Sequence, residues 1–564
     1  MVSRPLTVLV LGGYGTFGTR LVRLLAVDPR LTIIVAGRSL EKARDLCQRL
    51  TARARLVAQE LDRERIEGNL RGMGVDVLVD ASGPFQGYGE NPYRVLRECL
   101  TQGVHYLDLA DDAAFVAGVS AFDPEARRRG VFALSGLSTF PTLSTAVVDR
   151  LSADMSRIDE IVAGLSPSPK AGLGGSVVRA IAAYAGKPIS IVKAGAPATG
   201  RALIDARTMA VSPPGRVPLG PIRFTLIDVP DLATAPRRWP GVANLWFGVG
   251  TRPRIGQRIL DWASRLVERG WMASLTPIAG AMEWFNDRVA WGAARGGMVI
   301  SVSGLDAAGA PVRRSWHLVA EGDDGPFIPA MAAASVISSG LDKEWPADGA
   351  RPGDRDVPLE RFEAIFERFD IHCGVHSSEH AGESIYRRLL GDAWDNLPQA
   401  VRDLHSRTAD HAYRGTASVK RGQGFLARVA ARAFGFPPEA EAVPVTVKFS
   451  VRPDSETWER DFGGRRFASE QRLGVGSWEG LLSERFGPIE VGLAVLVEDG
   501  TLRLVARKWR AFGIPMPARF VPGGEAWEAE EDGRFAFHVD IVVPGIGRIV
   551  RYDGTLEPER PSVA

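Results

Sequence analysis

Cysteine is scarce in this chain: Cys47, Cys99 and Cys373 are the only three among 564 residues. An odd, widely spread set excludes a disulfide framework and fits a reducing compartment. An excess of one charge is missing too. Lys and Arg number 69 against 67 Asp and Glu, a net charge of +2, which excludes a dedicated nucleic-acid binder. Long apolar runs are absent. The longest uncharged stretch, Gly130–Val148, holds six Ser or Thr and a proline. It reads as strand, turn and helix, not as a membrane span, which needs about 20 apolar residues. The first apolar run is short and belongs to a strand, so no secretory signal is expected and the protein is placed in the cytoplasm. No internal repeat or low-complexity tract occurs. What the chain does have is 45% hydrophobic residues and the length for several domains.

The stretch that organises the rest is Val8–Leu25, VLVLGGYGTFGTRLVRLL. Val8–Leu11 reads as a buried parallel strand. Gly13-x-Gly15-x-x-Gly18 follows, and then Leu21, Val22, Leu24 and Leu25 recur at helical spacing. Strand, glycine turn and helix in that order suit a dinucleotide: Gly13 permits the turn, Gly15 lets backbone approach a pyrophosphate, and Gly18 lets the helix pack close. The second strand, Leu31–Ala36, ends in Gly37-Arg38-Ser39. An NAD site usually carries Asp or Glu at that tip. Here Arg38 is placed to pair with a 2′-phosphate and Ser39 to donate to it, so NADP(H) is expected over NAD(H). A solvated surface arginine is the plainer reading of Arg38.

Further elements alternate. Leu40–Leu50 reads as a helix and Ala54–Leu61 as a strand closed by Asp62, an acid that sits near the adenine or simply on the surface. Val75–Ala81 is a fourth strand, running into Ser82-Gly83-Pro84-Phe85-Gln86-Gly87-Tyr88-Gly89. That loop leaves the carboxyl end of a strand, where doubly wound sheets bind ligands. Pro92–Gln102 (helix), His105–Ala110 (strand), Phe122–Arg129 (helix) and Val131–Leu137 (strand) complete an α/β Rossmann-type, doubly wound parallel sheet.

Gly-Gly-Tyr-Gly at 12–15, Ala36-Gly37-Arg38, Gly83-Pro84-Phe85 with Tyr88-Gly89, Gly103 to Leu109 (GVHYLDL), and Ser135-Gly136-Leu137-Ser138 with Pro141 together resemble the saccharopine dehydrogenase-like oxidoreductases. This broad family includes saccharopine reductases and trans-acting enoyl reductases of bacterial lipid synthesis. The resemblance spans about Pro5–Leu341. It implies that Gly13, Tyr14, Gly15, Thr16, Phe17, Gly18, Arg38, Ser39, Ser82 and Gly83 line an NADP site.

By this reading residues 1–151 form the NADP-binding domain. Residues 152–320 form an inserted α+β substrate domain, with a hairpin of Gly297–Asp306 and Pro311–Ala320. Residues 321–345, with the small-residue helix Phe327–Leu341, return to the first domain. Residues 346–382, rich in charge, Gly and Pro, read as a linker. His372-Cys373-x-x-His376-x-x-x-His380 raises a metal reading, but no second ligand set at fixed spacing accompanies it, so no metal is expected and a solvated junction is favoured.

Residues 383–564 form a separate, mostly antiparallel β domain. Ser384–Leu390 and Leu397–His405 read as helices. Alternation at Val445–Val451, Leu493–Val497 and Phe535–Ile541, with Asp499-Gly500 and Asp532-Gly533 turns, predicts eight to ten strands in a closed barrel or sandwich. Tyr386–His405, Glu456–Gly463, Glu484–Pro488, Gly513–Pro517 and Arg551-Tyr552-x-Gly554 resemble a domain of unknown function found fused behind such NADP domains. Within it, His411–Pro438 carries Arg414, Lys420, Arg421, Arg428 and Arg432, no acid, and interleaved Phe425, Leu426, Val429, Ala433 and Phe434. This basic amphipathic element is either a helix packed on the β domain or the mouth of a lipid site.

No nucleophile elbow or metal helix is present, so the cofactor carries the chemistry and hydride transfer is the economical reading. Tyr88, Asp108 and Asp111, at strand ends on the ligand edge, are the candidate catalytic residues. Capping by Asp108 and stacking by Tyr88 are the plainer readings. The expected substrate is a hydrophobic or lipid-like small molecule. A non-catalytic NADP(H)-sensing or lipid-binding scaffold is the first competing hypothesis. A saccharopine-type amino-acid dehydrogenase is the second, although Arg179, Arg201, Arg207 and Arg223 show no spacing of a carboxylate clamp. Finally, Ile255, Ile259, Trp262 and Leu266 share one helical face beside Arg258, Asp261, Arg265 and Arg269, and Trp271, Trp284, Phe285 and Trp291 surround the uncharged stretch Gly270–Met282. The pattern suits either a core helix over the cleft or a segment at a membrane interface, so peripheral contact with the inner face of the membrane is expected.

Overall fold

The computed structural model describes residues 4–70, 72–170, 181–252, 254–280 and 293–559. They form two compact units. The first comprises Met1–Arg207, Arg223–Pro311 and Ala320–Ile371; the second comprises Thr208–Ile222, Val312–Val319 and His372–Ala564.

The first unit starts with β1 (Leu6–Leu11), α1 (Thr16–Leu25), β2 (Leu31–Gly37), α2 (Leu40–Arg49), β3 (Arg55–Glu60), β4 (Val77–Asp80), α3 (Arg94–Gln102), β5 (His105–Asp108) and β6 (Phe132–Ser135). The strands lie in the order β3-β2-β1-β4-β5-β6, all parallel, and the order in which they are laid down reverses at β1/β4. Val8, Leu9 and Val10 of β1 and Val77, Leu78 and Val79 of β4 are fully buried, as central parallel strands require. The carboxyl ends of β1 and β4 therefore open on the switch point, where such sheets take ligands.

A correction concerns residues 346–382. They are folded, not a linker: Gly349–Pro352 adds a parallel edge strand to β6, Leu359–Phe366 is a helix, and Ile371–Ser377 is a strand. Pro352 is tolerated because an edge strand has no partner on its outer side. The helix Ile328–Leu341 packs against α1, with its alanines buried. The inserted sheet is built on Met155–Ser166, which pairs antiparallel with Gly296–Asp306 and parallel with Asn244–Val249. The pieces Thr208–Ile222 and Val312–Val319, read from sequence as part of the insert, group with the second unit. There the Gly215 carbonyl accepts from the Val497 amide, and Ser212 donates its amide to His317 and its carbonyl receives His376.

The second unit is a closed antiparallel barrel of ten strands. Ile489–Glu498 pairs with Leu482–Phe486 on one side and Thr501–Ala511 on the other, which closes the ring. Asp499 and Gly500 both have positive φ (49° and 72°), as do Asp532 and Gly533 (50° and 73°), the conformation a tight primed hairpin needs. The helices Ile385–Leu390 and Gln399–His405 bury Tyr386 and His405 against Trp458. Several buried polar groups partner one another. Tyr386 donates to Gln471, while Gln471 and Ser469 donate to Glu484. His405 lies 2.5 Å from Glu528.

His376 meets the Ser212 carbonyl at 2.9 Å and His380 meets Glu383 at 3.1 Å. Among the described residues no group of three or more His, Cys, Asp or Glu is placed to hold a metal. No described helix is long and apolar enough to cross a membrane.

Candidate functional site

The glycine turn is shaped by close approach. Gly12 has φ +76°, and a Cβ there would lie 2.7 Å from the Ala81 carbonyl oxygen. A Cβ on Gly18 would lie 2.2 Å from the Gly12 carbonyl oxygen, so α1 can sit against the turn only with glycine at 18. Gly15 caps α1 without a side-chain hydrogen bond, and its first turn holds no acid. The N–H groups of Thr16, Phe17 and Gly18 therefore have no intrahelical acceptor and present a positive end to the switch point. These features fit the pyrophosphate of a dinucleotide.

At the tip of β2, Tyr14 lies across Gly37. A Cβ at 37 would stand 2.5 Å from the Tyr14 ring, and the Tyr14 hydroxyl accepts from the Ser39 amide at 2.8 Å. The tip thus excludes the Asp or Glu that would bind a ribose hydroxyl. Arg38 is exposed there, with no carboxylate partner among the described residues. Ser39 caps α2, accepting from the Lys42 amide at 3.3 Å, which leaves its hydroxyl proton available. Asp62 accepts from the Glu64 amide at 3.1 Å and caps a short turn after β3.

Across the switch point, Ser82 donates to Asp80 at 2.5 Å and meets the Tyr88 hydroxyl at 2.8 Å. The Tyr88 hydroxyl also points to Asp80, at 3.2 Å. The Arg63 guanidinium covers the Tyr88 ring, 3.4 Å from its centre. Burial, then the charge of Asp80, push the Tyr88 phenol up, so it stays protonated. Burial also raises the Asp80 carboxyl, opposed by its hydrogen bonds from Ser82.

Asp108 is fully buried. Its Oδ1 accepts from the Gly136 amide (2.7 Å), the Ala110 amide (3.0 Å) and the Ser135 hydroxyl (3.0 Å), which ties β5 to the loop after β6. Its Oδ2 has no partner, and burial pushes the carboxyl up to about 7. Asp111 lies at the rim and accepts from Gln86 at 3.1 Å. Burial, then the charges of Asp111 and Asp228, raise the Tyr184 phenol of the inserted segment. The structure thus brings Tyr88 together with Ser82 and Asp80. Sequence reasoning missed Asp80, Arg63, Tyr184 and Asp228. The acid closing the buried run VDVLVDA was the available signal for Asp80; Tyr184 and Asp228 had none, being distant in sequence.

Residues 8–134 match the saccharopine dehydrogenase NADP binding domain. The N-terminal domain is thus an NADP-binding domain of saccharopine dehydrogenase type, which supports an oxidoreductase. Residues 397–556 match a domain of unknown function, DUF4166. No curated protein matches the chain. Among solved structures the chain is similar to apo histidine-tagged saccharopine dehydrogenase (L-Glu forming) from Saccharomyces cerevisiae. The two are 11% identical, with 66% of this chain and 99% of that one covered, at a TM-score of 0.47. It is also similar to the WlbA (WbpB) dehydrogenase from Thermus thermophilus, solved with NAD and alpha-ketoglutarate. That pair is 12% identical, with 61% of this chain and 90% of that one covered, at a TM-score of 0.29.

Of the inserted segment's apolar face, Ile259 and Trp262 are exposed on the helix Arg254–Glu268, and Trp271 is exposed beyond it. Arg258, Arg265 and Arg269 are exposed beside them. Trp284, Phe285 and Trp291 lie outside the described residues, as does Arg179.

Proposed function

We propose that the N-terminal unit binds NADP(H) in preference to NAD(H) and transfers a hydride to or from a hydrophobic, lipid-like substrate. The observation that carries the cofactor preference is the tip of β2, where Tyr14 occupies the space of an acidic side chain and Arg38 stands unpaired. A guanidinium beside a helix N-terminus favours a phosphate over a hydroxyl. NADP(H), when bound, supplies or accepts the hydride. The chain's own part is to hold the substrate and move a proton. Tyr88, kept protonated and oriented by Ser82 and Asp80, is the proton donor; Asp108 positions the loop after β6, and Asp111 and Tyr184 bound the substrate side.

The substrate class rests on what is missing and what is exposed. Arg201, Arg207 and Arg223 pair with Glu268, Glu160 and Asp261, at 3.8, 2.8 and 3.1 Å, so none of them is held ready for an amino-dicarboxylate. Ile259, Trp262 and Trp271 give the inserted segment an apolar surface next to exposed arginines, which supports peripheral contact with a membrane. The cofactor reading is tested by titrating the full chain with NADPH and NADH. Tight NADPH and weak NADH binding is expected; equal affinities overturn it.

A further inference from the structure

The barrel's strand directions send its connections to two ends. Residues 422–439, 463–464, 487–488, 512–525 and 544–546 lie at one end, and residues 453–454, 474–481, 499–500 and 532–533 at the other. The exposed large apolar side chains of the described barrel, Val475 excepted, all fall at the first end. Phe425, Leu426 and Val429 sit on the helix Phe425–Ala433, Phe512 and Ile514 on the 512–525 connection, and Ile546 on the 544–546 turn. Phe425 is 72% exposed and Phe512 81%, so these are not side chains grazing the surface of a core.

The helix shows that this arrangement is built. Its sequence leaves open which face packs. Ala427 and Ala431 are buried against the barrel, while Phe425, Leu426 and Val429 face outward. A Cβ on Gly422 would lie 1.7 Å from the Arg548 carbonyl oxygen and 3.0 Å from the Ala427 Cβ, so small residues bring the helix against the strand pair. A water-facing apolar face of this kind marks an interaction surface.

Charge then selects the partner. Residues 411–438 contain no acid, and Glu439 and Glu525 are the acids of the connections at this end. At this end Arg466 pairs with Asp461, Arg548 with Asp540 and Arg510 with Glu490. Arg428, Arg432, Arg465 and Arg519 are exposed and have no carboxylate partner among the described residues. Arg421 donates to the Phe436 and Pro437 carbonyls, and burial, then the charges of Arg465 and Arg432, lower its pKa. The apolar tips belong to three separate connections with arginines between them. A fluid anionic surface that each tip enters independently satisfies all of them, and arginine meets lipid phosphate in the same plane.

We infer that this end of the barrel docks on an anionic lipid bilayer, inserting Phe425, Leu426, Phe512 and Ile514 while Arg428, Arg432 and Arg465 contact the headgroups. The surface belongs to the domain of unknown function and is distinct from the Trp262–Trp271 face named above. The test is flotation of the full chain with vesicles of phosphatidylcholine, with and without phosphatidylserine. The starting variant is Trp262→Glu, Trp271→Glu, which removes the other apolar face. It should float with phosphatidylserine vesicles at low salt and detach at high salt. Adding Phe425→Ser, Phe512→Ser and Ile514→Ser should lower partitioning by about a hundredfold or more. Adding Arg428→Glu and Arg432→Glu instead should remove the phosphatidylserine dependence. Circular dichroism and thermal unfolding of every variant report folding of the barrel, and NADPH titration keeps a failure of the cofactor reading separate from a failure here. Hydrogen exchange on vesicles should show new protection in 422–439 and 512–520. The inference is overturned if the starting variant does not float, if the Ser substitutions leave flotation unchanged, or if protection appears elsewhere and not in those segments.

Discussion

Asp108 makes the stability of the first unit depend on pH in a direction opposite to most carboxylates. Burial raises it from an ordinary 3.8 to about 7 in the folded chain, and the unfolded chain has the ordinary value. Between those values the unfolded chain binds fewer protons than the folded one, so stability falls as pH rises and levels off above about 7. Each unit of difference is worth 1.36 kcal/mol, which gives about 3 kcal/mol lost between about pH 5 and about pH 8. Asp108→Asn removes the titration. Its amide oxygen keeps the three hydrogen bonds to Gly136, Ala110 and Ser135, and its amide nitrogen takes the place of the unpartnered Oδ2, as the protonated acid does at low pH. The variant should match the parent near about pH 5 and exceed it by about 3 kcal/mol near about pH 8. Asp231, also pushed up to about 7 by burial, is present in both proteins and cancels in the difference. Calorimetry of parent and variant across that range reads it directly. A difference that does not change with pH, or that shrinks as pH rises, refutes the assignment.

Arg38→Ala should weaken NADPH binding by about tenfold to a hundredfold and leave NADH binding unchanged, by fluorescence titration, because a hydrogen bond to a charged group is worth about 1.5–3 kcal/mol. Gly18→Ala should cost about 1–3 kcal/mol in thermal unfolding and abolish cofactor binding, since its Cβ meets fixed backbone 2.2 Å away at Gly12. Tyr88→Phe should lower turnover by roughly a hundredfold or more with NADPH affinity intact, a split that a purely structural tyrosine would not produce.

Local chemistry made much of the fold legible. The glycine spacing, the six parallel strands and the Asp-Gly hairpins are contiguous signals, and each lies where the residues indicated. Barrel or sandwich stayed open because the ring also needs the first strand to pair with the last, His411–Arg421 with Gly547–Pro558, a contact between strands far apart in sequence that no local pattern encodes. The 346–382 segment misled through composition: a four-residue edge strand such as Gly349–Pro352 tolerates Gly and Pro and is held by its register against β6. The helix Phe425–Ala433 left its packing face open. Amphipathicity was legible, but which face packs was decided by how closely Ala427 and Ala431 let it approach. In the site, the glycine turn and the tip of β2 were legible as local features because each is contiguous in sequence. The Asp80–Ser82–Tyr88 network was not, because it joins a strand end to a loop whose fold is set by tertiary packing.

The central claim is hydride transfer to a hydrophobic substrate, and a turnover assay addresses it most directly. NADPH consumption by the full chain is followed against enones, lipid ketones and saccharopine in one panel. The account predicts oxidation of NADPH with a member of the hydrophobic set, abolished or strongly slowed in Tyr88→Phe, and none with saccharopine. Tight NADPH binding with silence across the panel would contradict it and leave a nucleotide-sensing scaffold, while turnover of saccharopine alone would contradict the substrate class.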